Sequence, residues 1–449
     1  MKAAFACMVA LVASAPAGCS PNGLGTGASG SLGSLPPVAM QARRKFSSPI
    51  RHVVIVIQEN RSFDNLFAGF PNADAPTSGT MSNGQTIALQ PTTLGAIDIC
   101  HDYVNAIGDY DGGKMDGFDL TCTAQSKTAG TYPYSYVEHH YIRPYWRMAE
   151  EYTLADHMFP PIWGASYTGH LSLIAGTASL TPTASLINQP PGNIWGCDAA
   201  PGTNTETLNT ALHTEWDGPF PCLTQFATMA DTLDGAHVSW RYYAPQLSSN
   251  GLWSEFDGIK DVRYGPDWAN VISPSPQFLT DVAAGKLAGV TWVVPDWLYS
   301  DHAGGGSQGP SWVAAVVNAV GQSKFWKSTA IFVVWDDWGG WYDNVPPPQI
   351  DYRGLAIRVP CIVISPYVKP HTVSHTQYEF GSILKFVEET FGLPPLGPTS
   401  AGYTDTRANS IIDSFDFTMT PRTFRHIQAP LPPSTFLNEK PSGRAPDDE

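Results

Sequence analysis

Charge is scarce in this chain, and what there is leans acidic. Charged residues make up only 14% of 449, with 25 Lys+Arg against 40 Asp+Glu, a net of −15. No basic run exists that could track a phosphate backbone, which argues against nucleic acid as a partner. An acidic surface also repels anions, so an enzyme for phosphates would need a local cation. Cysteine is sparse, seven in all, and no CxxC pair occurs. A zinc or redox reading therefore has no support. No internal repeat is visible, and the apolar run from Ala3 to Ala13 is too short for a stable membrane span.

What is present suits a large core. Hydrophobic residues reach 43%, with 14 Trp, 18 Tyr and 20 Phe, and the 41 Gly and 39 Pro suggest many ordered loops. The start, "MKAAFACMVALVASAPAGCS", has one Lys, an apolar run and then small residues, the pattern of a signal peptide over 1–19. Cleavage after Ala15 and lipidation of Cys19 are both open, and export to the periplasm, the medium or a lipid anchor at the envelope is expected. Residues 20–46 read as a flexible Gly/Ser/Pro-rich linker, 47–430 as the folded domain, and 431–449 as a Pro-rich tail, poorly ordered or draped on the surface. In an oxidising compartment Cys100–Cys122 and Cys197–Cys222 are the simplest disulfides, leaving Cys361 as a buried thiol.

Short apolar, β-branched runs recur: "HVVIVIQ", "HVSWRYYA", "GVTWVVPD", "TAIFVVWDD" and "VPCIVISPY". Such runs suit strands buried on both faces of a mostly parallel sheet. With helices expected near 141–152, 168–178, 311–322 and 378–391, the fold class is α/β, a three-layer α/β/α sandwich.

Ligands of such sheets bind beyond the carboxyl ends of the strands. Two strands end there in oxygen donors, Glu59-Asn60 and Asp336-Asp337. Either pair alone reads as helix capping. Together they offer hard ligands that suit Ca²⁺, Mg²⁺ or Mn²⁺ better than Zn²⁺. Ser166, in a small-residue turn before a helix, is the candidate nucleophile, with a plain N-cap as its bland alternative. His101, His170, His302 and His375 are acid–base candidates, whereas His52 and His371 fit an ordinary structural role. "GGSQG" matches the esterase G-x-S-x-G pattern, which needs a strand before it and a helix directly after; "DHAGG" precedes it and Pro310 follows, so Ser307 reads as a loop serine.

"QENRSFDNLFAGFP", "GGKMDGFD", "VPDWLYSDH", "AIFVVWDDWGGWYDNVPPP" and "VPCIVISPYVKPHTVSHTQYEFGSILKFVEETFGLPPL" resemble the bacterial phosphoesterase family of phospholipases C and acid phosphatases, over about residues 50 to 397. The resemblance implies an alkaline-phosphatase-like fold and a divalent metal held by Glu59, Asn60, Asp336, Asp337 and Ser166. It also implies that Ser166 is the nucleophile of a phosphoserine mechanism, with His302, and then His101 and His375, around the phosphate. Asn60 is expected to touch the phosphate oxygens, and Arg61 and Asp64 to brace the turn.

The sequence departs from the family pattern at "GASYTGH", where Thr168 and Gly169 replace Pro-Asn, and at Trp338 and Asn344, which replace two histidines. On those departures an acid-phosphatase-like phosphomonoesterase is favoured, with phospholipase C as the alternative. A serine carboxylesterase and a non-catalytic surface lipoprotein are the rival classes. The expected partner is a phosphate-ester or phospholipid substrate.

Overall fold

Five consecutive β-branched residues, Val53 to Ile57, leave the chain no polar edge to turn outward, and they lie at the centre of the molecule. In the computed structural model, which describes residues 41–443 except 126, 193 and 246–252, this segment is strand β1 (His52–Gln58). The other strands of the same sheet are β2 (Thr153–Phe159), β3 (Trp240–Tyr243), β4 (Val271–Ile272), β5 (Val290–Val293), β6 (Thr329–Trp335), β7 (Val359–Ile364), β8 (Thr372–Ser374) and β9 (Tyr378–Glu379). Their order is β4-β3-β5-β1-β6-β7-β2-β8, with β9 also pairing β2. Every pairing is parallel except the two made by β7.

Helices cover both faces. α1 (Phe63–Phe67) and α2 (Tyr103–Tyr110) follow β1, and then come α3 (Arg143–Glu151), α4 (Ser166–Ala175), α5 (Gly309–Gly321) and α6 (Phe380–Phe391). α3 and α5 pack on each other over β7 and β6, while α4 and α6 pair on the opposite face. There the Trp292 indole of β5 donates to Leu173 O of α4 at 3.0 Å, and Phe332 of β6 meets Phe386 of α6 edge-on. The three-layer α/β sandwich and all five expected strands are present. β2 was not foreseen, because "TLADHMF" carries Asp156 and His157 in place of an apolar run.

Both expected disulfides form, Cys100–Cys122 and Cys197–Cys222, and Cys361 is a buried free thiol. The signal peptide, Cys19 and linker residues 20–40 lie outside the described residues. The tail expected over 431–449 is described as far as residue 443. A short helix, Pro433–Asn438, sets Phe436 against Tyr299 and Trp312. Pro310 does not prevent a helix after "GGSQG"; it opens α5, where a missing N–H costs nothing. Ser307 is exposed in the loop before it, with no strand leading in.

Candidate active site and metal centre

Register brings the two acidic strand ends together. β1 and β6 run parallel with Gln58 opposite Trp335, so Glu59 and Asp336 leave the sheet side by side. Asp336 N then donates to Gln58 O at 3.1 Å, and Asn60 N donates to Asp336 Oδ1 at 3.1 Å. Asn60 holds this position at φ +44°, in the left-handed region where asparagine is tolerated better than most residues. Gly339 closes over it, and a Cβ there would meet Asn60 O at 2.3 Å.

The third component comes from α4. Ser166 is its first residue, with Ala165 at the cap, so the serine is not a side-chain cap. Its Oγ donates to Asp337 Oδ2 at 3.1 Å and accepts from Asn60 Nδ2 at 3.3 Å. One helical turn later, on the same face, His170 Nε2 lies 2.9 Å from Glu59 Oε1 and 3.6 Å from Asp336 Oδ2. Gly169 lets the helix come this close, since a Cβ there would meet Asp336 O at 2.6 Å. The departure at Gly169 thus has a steric reason.

Ligand atoms of Glu59, His170 and Asp336 all fall within 4.8 Å of one another, and all three residues are fully buried. Burial pushes the His170 imidazole down to about 4, against the opposing pull of Asp336, so at neutral pH it brings no charge to the two acids. Asp336 Oδ2 has no hydrogen-bond donor among the described residues. Two buried carboxylates around a neutral imidazole form a donor set that fits a divalent cation. His170 was foreseen only as an acid–base candidate; its spacing of four from Ser166 was the available signal.

Two further histidines stand beside this group. His101 Nε2 lies 2.7 Å from Asn60 Nδ2, and its Nδ1 donates to Ile99 O at 2.6 Å. His302 donates from Nδ1 to Ala303 O at 2.6 Å, and its ring centroid is 6.0 Å from that of His101. Each backbone acceptor holds the proton on Nδ1 and leaves Nε2 as the basic nitrogen. Trp338 stands edge-on to His101 and donates to Asp109 Oδ2 at 3.2 Å.

His375 is not brought here. Its Nδ1 bonds Asp156 Oδ2 at 2.8 Å, on β2, with a side chain 59% exposed. The expectation that it faces the phosphate is corrected, because the chain after β8 turns it onto the sheet edge.

Arg61 and Asp64 brace, as expected. Arg61 donates to Asp301 O, Asn65 Oδ1 and Leu94 O, and Arg358 donates to Asp64 Oδ1 and Asp343 Oδ1. Asn344, where the family pattern has histidine, donates from its backbone to Asp64 Oδ2 and accepts from Arg358.

Sequence reasoning missed an aromatic and acidic wall next to α4. Trp253 stacks parallel to His170 and to Trp297, at centroid distances of 6.4 and 5.8 Å. Glu255 lies beyond it; burial, and then the nearby Asp257, push its carboxyl well above the usual range. Burial, and then Glu255, raise the Tyr167 hydroxyl, which together with Glu255 Oε1 and the Trp253 and Trp195 indoles has no hydrogen-bond partner among the described residues. The 3₁₀ turn Glu255–Gly258 carries no sequence signature of a site.

Residues 50–394 match the model of the Phosphoesterase family. Phospholipase C A of Mycobacterium tuberculosis is 29% identical over 454 residues, covering 85% of this chain and 80% of the relative. Phospholipase C B of the same organism is 25% identical over 442 residues, covering 83% and 78%. The non-hemolytic phospholipase C of Pseudomonas aeruginosa is 25% identical over 426 residues, covering 80% and 57%. Among solved structures, a protein of the alkaline phosphatase superfamily from Vibrio parahaemolyticus matches 84% of this chain and 74% of its own, with a TM-score of 0.41 and 10% identity.

Proposed function

This chain belongs to the Phosphoesterase family, a hydrolase acting on phosphoric esters, and from that premise we propose that it is an exported phospholipase C-type phosphodiesterase with Ser166 as nucleophile. The observation that carries the reading is Ser166 Oγ hydrogen-bonded to Asp337 and Asn60 beside the Glu59–His170–Asp336 cluster. The phospholipase reading takes precedence over the phosphomonoesterase favoured by the sequence. The curated relatives are phospholipases C, and Trp338 and Asn344 are absorbed into packing and bracing.

A divalent cation held by Glu59, Asp336 and His170, with Asn60, Asp337 and Ser166 around it, would supply the charge that acidifies the serine hydroxyl and neutralises phosphate oxygens. His170 adds a nitrogen donor to the expected oxygen set, which favours Mn²⁺, Fe²⁺ or Zn²⁺ over Ca²⁺ and Mg²⁺. The rest of the chemistry is the protein's own. Asp337 Oδ2 takes the Ser166 proton as Oγ attacks phosphorus and the lipid alcohol–phosphorus bond breaks. His302 or His101, carrying a second proton on its basic Nε2, delivers it to the departing alkoxide. Asn60 Nδ2 donates to the crowded phosphoryl oxygens. Water then attacks the phosphoseryl diester and gives a proton to the histidine Nε2, the Ser166 Oγ–phosphorus bond breaks, and the proton on Asp337 returns to Ser166.

The Trp253–Tyr167–Trp195–Glu255 wall favours a substrate with a cationic headgroup. A quaternary or primary ammonium is attracted to aromatic faces, and its charge would draw Glu255 back to its ionised form. Turnover of phosphatidylcholine against p-nitrophenyl phosphate, with and without chelator, tests the reading. Chelator-sensitive lipid turnover abolished by Ser166→Ala is expected. Monoester turnover with no lipid turnover would restore the phosphatase reading, and chelator-insensitive activity lost in Ser307→Ala would make the chain a carboxylesterase.

A further inference from the structure

The edge of the sheet holds a second constellation that the hydrolytic site does not use. β8 pairs with β2 up to Ser374 opposite Ala155, and β9 resumes with Tyr378 opposite Met158. Residues 375–377 therefore face only Asp156 and His157, one residue too many, and the chain bulges outward there. Bulges of this kind re-aim side chains and gather beside functional sites. This one turns His375 over Asp156.

The result is a carboxylate clasped by two imidazoles. His157 Nδ1 lies 2.7 Å from Asp156 Oδ1, and His375 Nδ1 lies 2.8 Å from Asp156 Oδ2. Asp156 is fully buried, whereas the side chains of His157 and His375 are 23% and 59% exposed. Asp74 N also donates to Asp156 Oδ2, at 3.0 Å. One ligand atom from each of the three side chains lies within 4.8 Å of the others. Ligands about 2.0–2.1 Å from a tetrahedral ion sit about 3.4 Å apart, so small side-chain shifts would seat one.

We propose that Asp156, His157 and His375 form a second metal site, separate from the Glu59–His170–Asp336 cluster, for a borderline divalent ion such as Zn²⁺. Two imidazole nitrogens and one carboxylate oxygen are the donors such ions prefer, and the exposed side of His375 leaves room for water to complete the shell. A ring that carries its proton on Nδ1 moves it to Nε2 on binding. The ion would join β2 to the chain between β8 and β9, and through Arg358, which donates to Asp156 O and Asp74 O, to the bracing network.

The test uses the full chain carrying Glu59→Gln, which disables the hydrolytic cluster. Chelated, dialysed protein is titrated with Zn²⁺, and bound metal is counted by elemental analysis. About one equivalent should remain in the Glu59→Gln chain, raise its thermal midpoint, and be lost when His375→Ala is added. His375 is largely exposed, so its truncation leaves the core intact, and circular dichroism checks this. Equal Zn²⁺ uptake and equal thermal response with and without His375→Ala would overturn the proposal. So would the absence of any bound zinc in the Glu59→Gln chain.

Discussion

The "ENRSFD" and "DDWGGWYDN" segments each supply acids to two buried clusters, and the clusters differ in what stands between the acids. Asp64 and Asp343 share Arg358, a permanent cation that donates to both at 3.1 and 3.0 Å. Glu59 and Asp336 share His170, which burial keeps neutral. The first cluster carries its own countercharge and is a brace. In the second, the shared base is uncharged, which is what a bound cation and a phosphate require. Neighbouring acids from the same two segments thus serve different ends, and the base between them decides which.

The contrast can be broken most severely at Ser166. Ser166→Ala should lower phosphoester turnover by roughly 10³-fold or more, read by steady-state kinetics, without shifting the thermal midpoint. Arg358→Met attacks the other cluster. It strands two buried carboxylates and should cost about 3–5 kcal/mol in denaturant unfolding.

A third kind of buried acid sharpens the comparison. Asp301 accepts hydrogen bonds from Tyr145 and Trp335 at 2.7 and 3.1 Å. Burial lifts its carboxyl to about 6, although Tyr145, the Arg61 charge and Trp335 pull it down. The folded state therefore holds this proton more tightly than the unfolded chain. Stability from this group is full below about pH 4 and falls as pH rises towards 6, by about 3 kcal/mol. Asp301→Asn should remove that slope in urea unfolding series across pH 4 to 7. The smallest effect concerns specificity: Glu255→Gln should slow phosphatidylcholine turnover by about tenfold while leaving p-nitrophenyl phosphate turnover nearly unchanged, as expected for the loss of one cation partner.

Much of this was legible in the sequence, for physical reasons. Val53–Ile57 and Ala330–Val334 are apolar on both faces, so their burial and direction follow from composition. The acids that end them then fall where parallel sheets bind ligands. Ser166 and His170 were separately visible, and only the helical spacing of four joins them. His375 was misplaced because its motif lies close to others in sequence, while the bulge that aims it depends on the pairing of β2 with two separate segments. The Trp253–Glu255 wall was hidden because aromatic residues in loops read the same whether they pack or bind.

The most direct test exchanges one acid in each cluster and counts metal and activity together. Glu59→Gln should lose about one metal equivalent and most phosphoester turnover, whereas Asp64→Asn should keep both and unfold at lower temperature. A Glu59→Gln protein that retains its metal and its turnover, or an Asp64→Asn protein that loses them while still folded, would contradict the account.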